Sequence, residues 1–465
     1  MKNKIDCQSQ SQIQNPVLEP LLQPSYTSAD LAAIQTLLAT DGTLAFKATQ
    51  RGLFPAAATA DSENTGYQYV WVRDNVYVAY AHYMIGECEI AARTMAGLMT
   101  YFQKFQHRFV DIINHPELKE DVMRRPNIRF DGESLTELDE AWEHAQNDAL
   151  GYFVWLYCKL AAEDSLRLQI PLEAADCEML RRFVDYFDAI RYWEDADSGH
   201  WEEGRKVSAS SIGVVVAGLR ELRSLLNASK INLSSLSSRS DAEPTANLLN
   251  RLVQNGEAAL NKILPWECCT AEHERRYDAA LLYLIYPLKV VSRAQAENIL
   301  ADVQAALTGD YGIARYPYDS FWCRDFQDLE KSIQTAQYTG REQWLESHNR
   351  AVKRGEEAQW CIFDPIISAI YGEWFQARPE NDAEGALYLA LQTLHLNRAL
   401  GQITGGGNVV LAGAGNNQPV EIPANRCPEL YYLQQDEYVP NVSTPLLWTQ
   451  ANLCIALKMM ERSLV

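Results

Sequence analysis

The amino-acid sequence predicts an all-α protein folded as a double-walled (α/α)6 barrel, six helical hairpins closed into a toroid. Three observations carry this expectation. Apolar residues recur at helical rather than strand spacing along nearly the whole chain. Six stretches are apolar on almost every side, the mark of helices buried all round. Six amphipathic stretches alternate with them without a break.

The alternation can be followed from one end to the other. A polar segment to about Ser25 reads as a disordered or extended tail, leaving 26–465 as one domain. Ser28–Ala39 is the first amphipathic helix. Asp74 then opens NVYVAYAHYMI, an inner helix, and Glu87–His107 returns outside it. Asp148 opens ALGYFVWLYCKLAA, followed by Leu172–Ile190; Ser211 opens IGVVVAGLREL, followed, past a Ser-rich stretch from Asn227 to Asn247, by Ala246–Ile263. Asp278 opens AALLYLIYPLKV before Arg293–Leu307, Asp364 opens PIISAIYGEWF before Ala383–Leu400, and Thr444 opens PLLWTQANLCIALKMM. Each opening side chain can accept hydrogen bonds from the free N–H groups of a first turn, and Pro365 and Pro445 suit the first helical position. The glycine-rich run from Gly405 to Gly415 lacks the third glycine and the following helix of a phosphate cradle, so it reads as a loop or short β excursion.

Composition narrows the function. In 465 residues, 41 Lys and Arg face 61 Asp and Glu, a formal net charge of −20. Such a field repels polyphosphate and anionic lipid, which argues against nucleic acid and membrane partners and for a neutral ligand. The N-terminus lacks the apolar stretch of a signal peptide, and no run approaches a membrane span, so a soluble protein is expected. Ten scattered cysteines without C-x-x-C pairs suit a reducing cytoplasm. Eight histidines show no ligand spacing, so neither a metal nor a cofactor is implied. The oligomeric state is left open.

Inner helices arranged this way run parallel, so the loops before them meet at one end, where a rigid scaffold presents binding and catalytic groups. Those loops carry Trp71, Arg73 and Asp74; Trp142; Trp201, Glu202 and Glu203; Arg315, with Trp360 further on; and Glu429, with Trp448 in the last helix. Aromatic faces beside planar hydrogen-bonding edges match the two demands of a sugar ring. Glycosidic chemistry needs two carboxyls, one protonated and one ionised. Glu202 and Glu429 are the candidate pair, with Trp201 placed to shield Glu202 from water. The same Trp-Glu-Glu also suits an ordinary charge bias at a helix start, and Arg73-Asp74 a cap with a neighbouring salt bridge.

Taken together, Trp71 to Asp74, Trp142 to Asp148, Trp201 to Ser211, Arg315 to Pro317, Pro428-Glu429 and Pro445 to Trp448 resemble glycoside hydrolase family 15. These are the glucoamylase-like enzymes, related to the N-terminal domain of the large regulatory subunits of phosphorylase kinase. The resemblance implies inverting hydrolysis of α-glucosidic bonds from non-reducing ends. Glu202 would be the general acid, Glu429 the base, Arg73 and Asp74 the holders of the terminal glucose, and Arg315 a substrate contact. Leu430 stands where glucoamylases commonly have Gln, and Pro-Glu-Leu-Tyr-Tyr is closer to the kinase-subunit branch. A non-hydrolytic, glucan-binding regulatory protein is therefore the second expectation.

Overall fold

In the computed structural model, which describes residues 12–57, 66–166, 170, 172–228, 245–269, 274–324, 326, 352–379, 382–412 and 417–465, twelve of the thirteen described α-helices alternate between two walls, the other being the short His107–Asn114. They are α1 (Ser28–Thr40), α2 (Val72–Ile85), α3 (Cys88–Lys104), α4 (Asn147–Ala162), α5 (Ala174–Ile190) and α6 (Ala209–Asn227). The second half holds α7 (Thr245–Ile263), α8 (Leu282–Ile285), α9 (Arg293–Leu307), α10 (Phe363–Gln376), α11 (Ala383–Gly401) and α12 (Leu447–Ser463). The even-numbered helices form the inner ring: each touches the next, and α12 closes back on α2. Burial explains the division. In α2, α4 and α10 almost every residue is buried, whereas α5 and α7 bury one stripe. The fold is an (α/α)6 barrel, and no helix among the described residues is long and apolar enough to cross a membrane.

The helix starts depart from the expected pattern. Trp71, Gln146, Ser208, Ile362 and Leu446 occupy the cap positions of α2, α4, α6, α10 and α12. Asp74, Asp148, Ser211 and Asp364 therefore fall inside the first turn, Pro365 is the third helical residue, and Thr444-Pro445, a cis bond, precedes α12. The reason is competition for the carboxylates. Asp148 accepts from Arg73, and Asp364 accepts from Arg398 and Gln402 and pairs with His395, charge-assisted contacts that outbid a capping bond. Of the six openers, Asp278 does cap, accepting from the N–H of Ala280 at 2.9 Å. It starts a 3-10 turn and only a four-residue α8, cut short before Pro287, which has no N–H to continue the ladder.

Short strands brace the loops. Val70–Trp71 pairs with Arg129–Asp131, which pairs with Thr136–Glu137. Leu430–Gln434 lies between Gln359–Trp360 and Glu437–Pro440. The glycine-rich run supplies one arm of a hairpin, Gly407–Ala412 with Asn417–Ile422. The described part of the polar tail is tied down: Gln12 donates its N–H to Asp310 O at 3.0 Å, and Leu18 is buried in a cluster with Leu396, Leu400 and Leu453. Most of the Ser-rich stretch, 229–244, lies outside the described residues.

Helices α4 and α6 approach closely because glycines face each other. A Cβ on Gly218 would lie 2.7 Å from Gly151 O, against 2.8 Å from Val215 N for one on Gly151. Gly218→Ala should cost ~1–3 kcal/mol through forced separation of the two helices. Gly204→Ala, with open space around it, should stay within ~0.5 kcal/mol. Urea unfolding of both variants checks this; equal midpoints would contradict it.

Candidate active site

One cavity lies where the N-terminal ends of the inner helices converge. Trp71, Arg73, Asp74, Trp142, Trp201, Glu202, Arg315, Trp360, Glu429 and Trp448 all line it. All ten residues singled out in the sequence therefore meet in one place, although they come from seven separate segments. Its floor is a plug of stacked rings: Trp448 lies 5.2 Å from Tyr77 and 5.6 Å from Tyr283, centroid to centroid, and Tyr77 lies 5.2 Å from Tyr152. The pocket is thus blind.

Glu202 follows a 3-10 turn, Gly199–Trp201, and sits in the left-handed region at φ 57. That conformation costs a non-glycine residue roughly 1–2 kcal/mol, and strain of this kind is typical of functional positions. Its Oε1 accepts from Trp71 Nε1 at 2.9 Å and from Arg73 Nη2 at 3.3 Å. Both bonds land on one oxygen, so a proton on this carboxyl belongs on Oε2. Burial raises its pKa, against the opposing pull of Arg73 and Arg129. Trp201, the expected shielding ring, lines the same pocket, with its indole N–H donating to Asp278 Oδ1 at 2.9 Å, and Trp71 is the tryptophan that donates to Glu202.

Glu429 immediately precedes the strand Leu430–Gln434, and its carbonyl accepts from the N–H of Cys361 at 2.9 Å. That strand pairing, Trp360 opposite Leu430, brings the late glutamate beside the Trp360 loop. Each carboxylate oxygen accepts a hydrogen bond from a neutral donor: Oε1 from Tyr67 OH at 2.8 Å, Oε2 from Asn441 Nδ2. Acceptance at both oxygens is the pattern of an ionised carboxylate. Burial pushes the pKa up to about 7, with Asn441, Tyr67 and Arg315 pulling the other way. A base titrating near 7 is well matched to work near neutrality.

The remaining residues hold this pair in place. Arg73 donates through Nη1 to Asp148 Oδ2 at 2.5 Å and to Gln146 Oε1 at 3.2 Å. Among the described residues Asp74 makes no hydrogen bond to another side chain, and burial raises its pKa to about 7, Arg73 opposing. Its carboxyl is thereby left to a ligand. Arg315 is clamped by Asp319 at 2.6 and 2.7 Å and lies over the rings of Trp201, Trp360 and Phe321. The guanidinium of Arg129 sits 4.1 Å from the ring centre of Trp142 and 4.9 Å from that of Trp71, fixing two walls at once. Glu203, next to Glu202, is committed elsewhere: Arg275, Lys206 and Arg315 hold it ionised despite its burial, and Tyr316 donates to it.

Sequence reasoning passed over Tyr67, His200 and Phe321, which also line the pocket, and Asn441, which fixes Glu429. Tyr67 had a signal in its place four residues before Trp71, in the same loop. Asn441 had only its position in a polar run before the last inner helix. His200 donates to or accepts from Tyr152 OH at 3.0 Å through Nε2, and burial lowers its pKa to about 4, so the ring is neutral near pH 7.

Comparison with known proteins agrees with this fold. The family model for glycosyl hydrolases family 15 matches residues 31–336. A structure of a wild-type glycosidase superposes with a TM-score of 0.61 at 16% identity, over 94% of this chain and 99% of that one. A glucoamylase from Saccharomycopsis fibuligera superposes with a TM-score of 0.60 at 11% identity, over 100% and 98%. The probable phosphorylase b kinase regulatory subunit alpha of Caenorhabditis elegans is 23% identical over 278 residues, 54% of this chain and 21% of that subunit. This chain thus spans about a fifth of that relative's length.

Burial of the pocket carboxyls also sets a pH dependence of folding. Asp74 and Glu429 have native pKa values of about 7, above the ordinary 3.8 and 4.5. The folded form therefore holds their protons more tightly, and the stability this gives is complete below about pH 4 and lost as pH rises through 7. Unfolding free energy should fall between about pH 4 and 7, and Asp74→Asn or Glu429→Gln should each flatten the fall by on the order of 1–3 kcal/mol. Urea unfolding at a series of pH values checks this; unchanged slopes in both variants would contradict it.

Proposed function

This chain belongs to the glycosyl hydrolases of family 15, and from its pocket we propose that it is an inverting, exo-acting α-glucosidase that releases glucose from non-reducing ends of α-glucan or maltooligosaccharide chains. The observation that carries the reading is the meeting of two buried carboxyls in one blind, aromatic-walled cavity, beside Arg73, Asp74 and Arg315. A closed floor suits a chain end, because the middle of a chain would need an exit on the far side. The nine described cysteines are unpaired, which supports placing the enzyme in a reducing cytoplasm.

The reaction follows from the two environments. The terminal glucose lies against the tryptophans, its hydroxyls bonded to the free carboxyl of Asp74 and the guanidinium of Arg73. Glu202 passes its Oε2 proton to the glycosidic oxygen as that bond breaks. Glu429 takes a proton from water attacking the anomeric carbon from the opposite face. Tyr67 and Asn441 hold the base in position. Arg73, one guanidinium away from Glu202, favours the carboxylate left after proton transfer.

A second reading has its own support. The relation to a phosphorylase kinase regulatory subunit, a protein named for regulation, allows the pocket to bind glucan without cleaving it. Both readings share the ligand and differ in turnover.

Glucose release from maltose, maltotriose, glycogen, isomaltose and trehalose decides between them. The wild type should release glucose from at least one α-glucan, and Glu202→Gln should lose ~10²–10⁴-fold in kcat while retaining substrate binding. Arg73→Ala should weaken binding as well. Full turnover by Glu202→Gln would remove it from the mechanism. Wild-type inactivity, combined with a rise in Tm on adding maltotriose, would establish the regulatory reading instead.

A further inference from the structure

A second cavity, of about 710 Å³, opens at the other end of the barrel, where the inner helices finish. It is separated from the first by the plug of Tyr77, Tyr152 and Tyr283, all essentially inaccessible. Its size falls in the range of small-molecule sites, roughly 300–1,000 Å³. Its lining is unusual for a chain of net charge −20: Lys159, Lys289, Lys458 and Arg462 face a single carboxylate, Glu373.

Helix ends attract cations, and that ordinary explanation has to be weighed first. Each C-terminus carries about half a negative charge, and a cation answering it typically donates to the last carbonyls. Two of the four cations are accounted for: Lys289 pairs with Glu373, and Lys458 with Glu461 at 2.9 Å. Lys159 and Arg462 are not. Among the described residues neither makes an ion pair or donates to a carbonyl, so beyond the helix dipole neither is committed. Lys159 is also the one charged side chain in the last two turns of an otherwise buried α4.

The floor gives the rest of the ligand's chemistry. Tyr80 and Tyr286 are buried with their hydroxyls 3.2 Å apart, and Arg462 lies near enough to both to oppose the upward push of burial on their pKa values. Tyr83 adds a third ring at the wall, its hydroxyl donating to Glu163 at 2.7 Å. Rings and hydroxyls suit the faces and edges of a small polyol ring, while two uncommitted cations suit a dianionic group on it. Together, the geometry points to a binding site for a phosphorylated sugar at the C-terminal end of the barrel, distinct from the pocket that holds Glu202.

Calorimetric titration with glucose 6-phosphate tests this in the Glu202→Gln background, which binds maltose without turning it over, with inorganic phosphate and glucose as separate arms and saturating maltose present throughout to occupy the first pocket. Glucose 6-phosphate should bind at a stoichiometry near one, at least ~10-fold tighter than phosphate alone, and the double variant Lys159→Gln/Arg462→Gln should weaken it at least ~10-fold. Both positions are solvent-accessible, and far-UV circular dichroism with maltose binding confirms that the variant is folded. Equal affinity for phosphate and the sugar phosphate would reduce the site to a bare anion contact and overturn the proposal. So would no heat at millimolar ligand, or identical affinity in the double variant, which would return the cations to a role at the helix ends.

Discussion

The buried guanidinium of Arg73 is the constraint around which the pocket is built. It rises from the first turn of α2, reaches Asp148 in the first turn of α4 and Gln146 before it, and touches Glu202 in the loop before α6. Three consecutive inner helices are thus registered to one another through a single charge. Removing one partner from a fully buried pair of this kind costs about 3–5 kcal/mol, because the other charge is left without water or a counterion. That same constraint explains why Asp148 does not cap its helix. Burial alone would lift its pKa, but Arg73, with His200, holds it below the ordinary carboxylate range, so the aspartate is an anion reserved for the arginine.

From this frame the two glutamates acquire different surroundings. Glu202 shares one oxygen between an indole N–H and an arginine, which leaves the other free for a proton. Glu429 is bonded at both oxygens by neutral donors and lies across the pocket on a strand anchored to Cys361. In the proposed reaction, environment rather than residue type divides the labour between an acid and a base. The pKa values of both are raised, so the division rests on the hydrogen bonds each oxygen makes. In the same way Glu203, a chemically identical neighbour, is withdrawn into a cluster of cations where it can only be structural.

The architecture could be read from the sequence because burial writes itself as periodicity. Outer helices such as Arg293–Leu307 and Thr245–Ile263 fall within a residue of their expected limits. Helix starts could not be read as well, since a lone Asp before an apolar run looks the same whether it caps or binds an arginine elsewhere. Asp148 and Asp364 are of the second kind. The candidate site was visible as recurring Trp, Arg and Glu in loops that only ring closure brings together. What escaped was the support: Tyr67 and Asn441 are ordinary residues in polar loops, and nothing local reveals that they face Glu429. The hydrogen bond from Trp71 to Glu202 escaped for the same reason, because adjacency in sequence is a poor guide where the chain turns at φ 57.

The central claim is that Glu202 and Glu429 act from opposite faces of the bond they break, and the configuration of the first product reports this directly. Proton NMR of an α-glucan digest within minutes of mixing, before mutarotation, reads the anomer released. The account predicts β-glucose as the initial product, because water activated by Glu429 enters opposite to the oxygen protonated by Glu202. Initial α-glucose would show retention and contradict it.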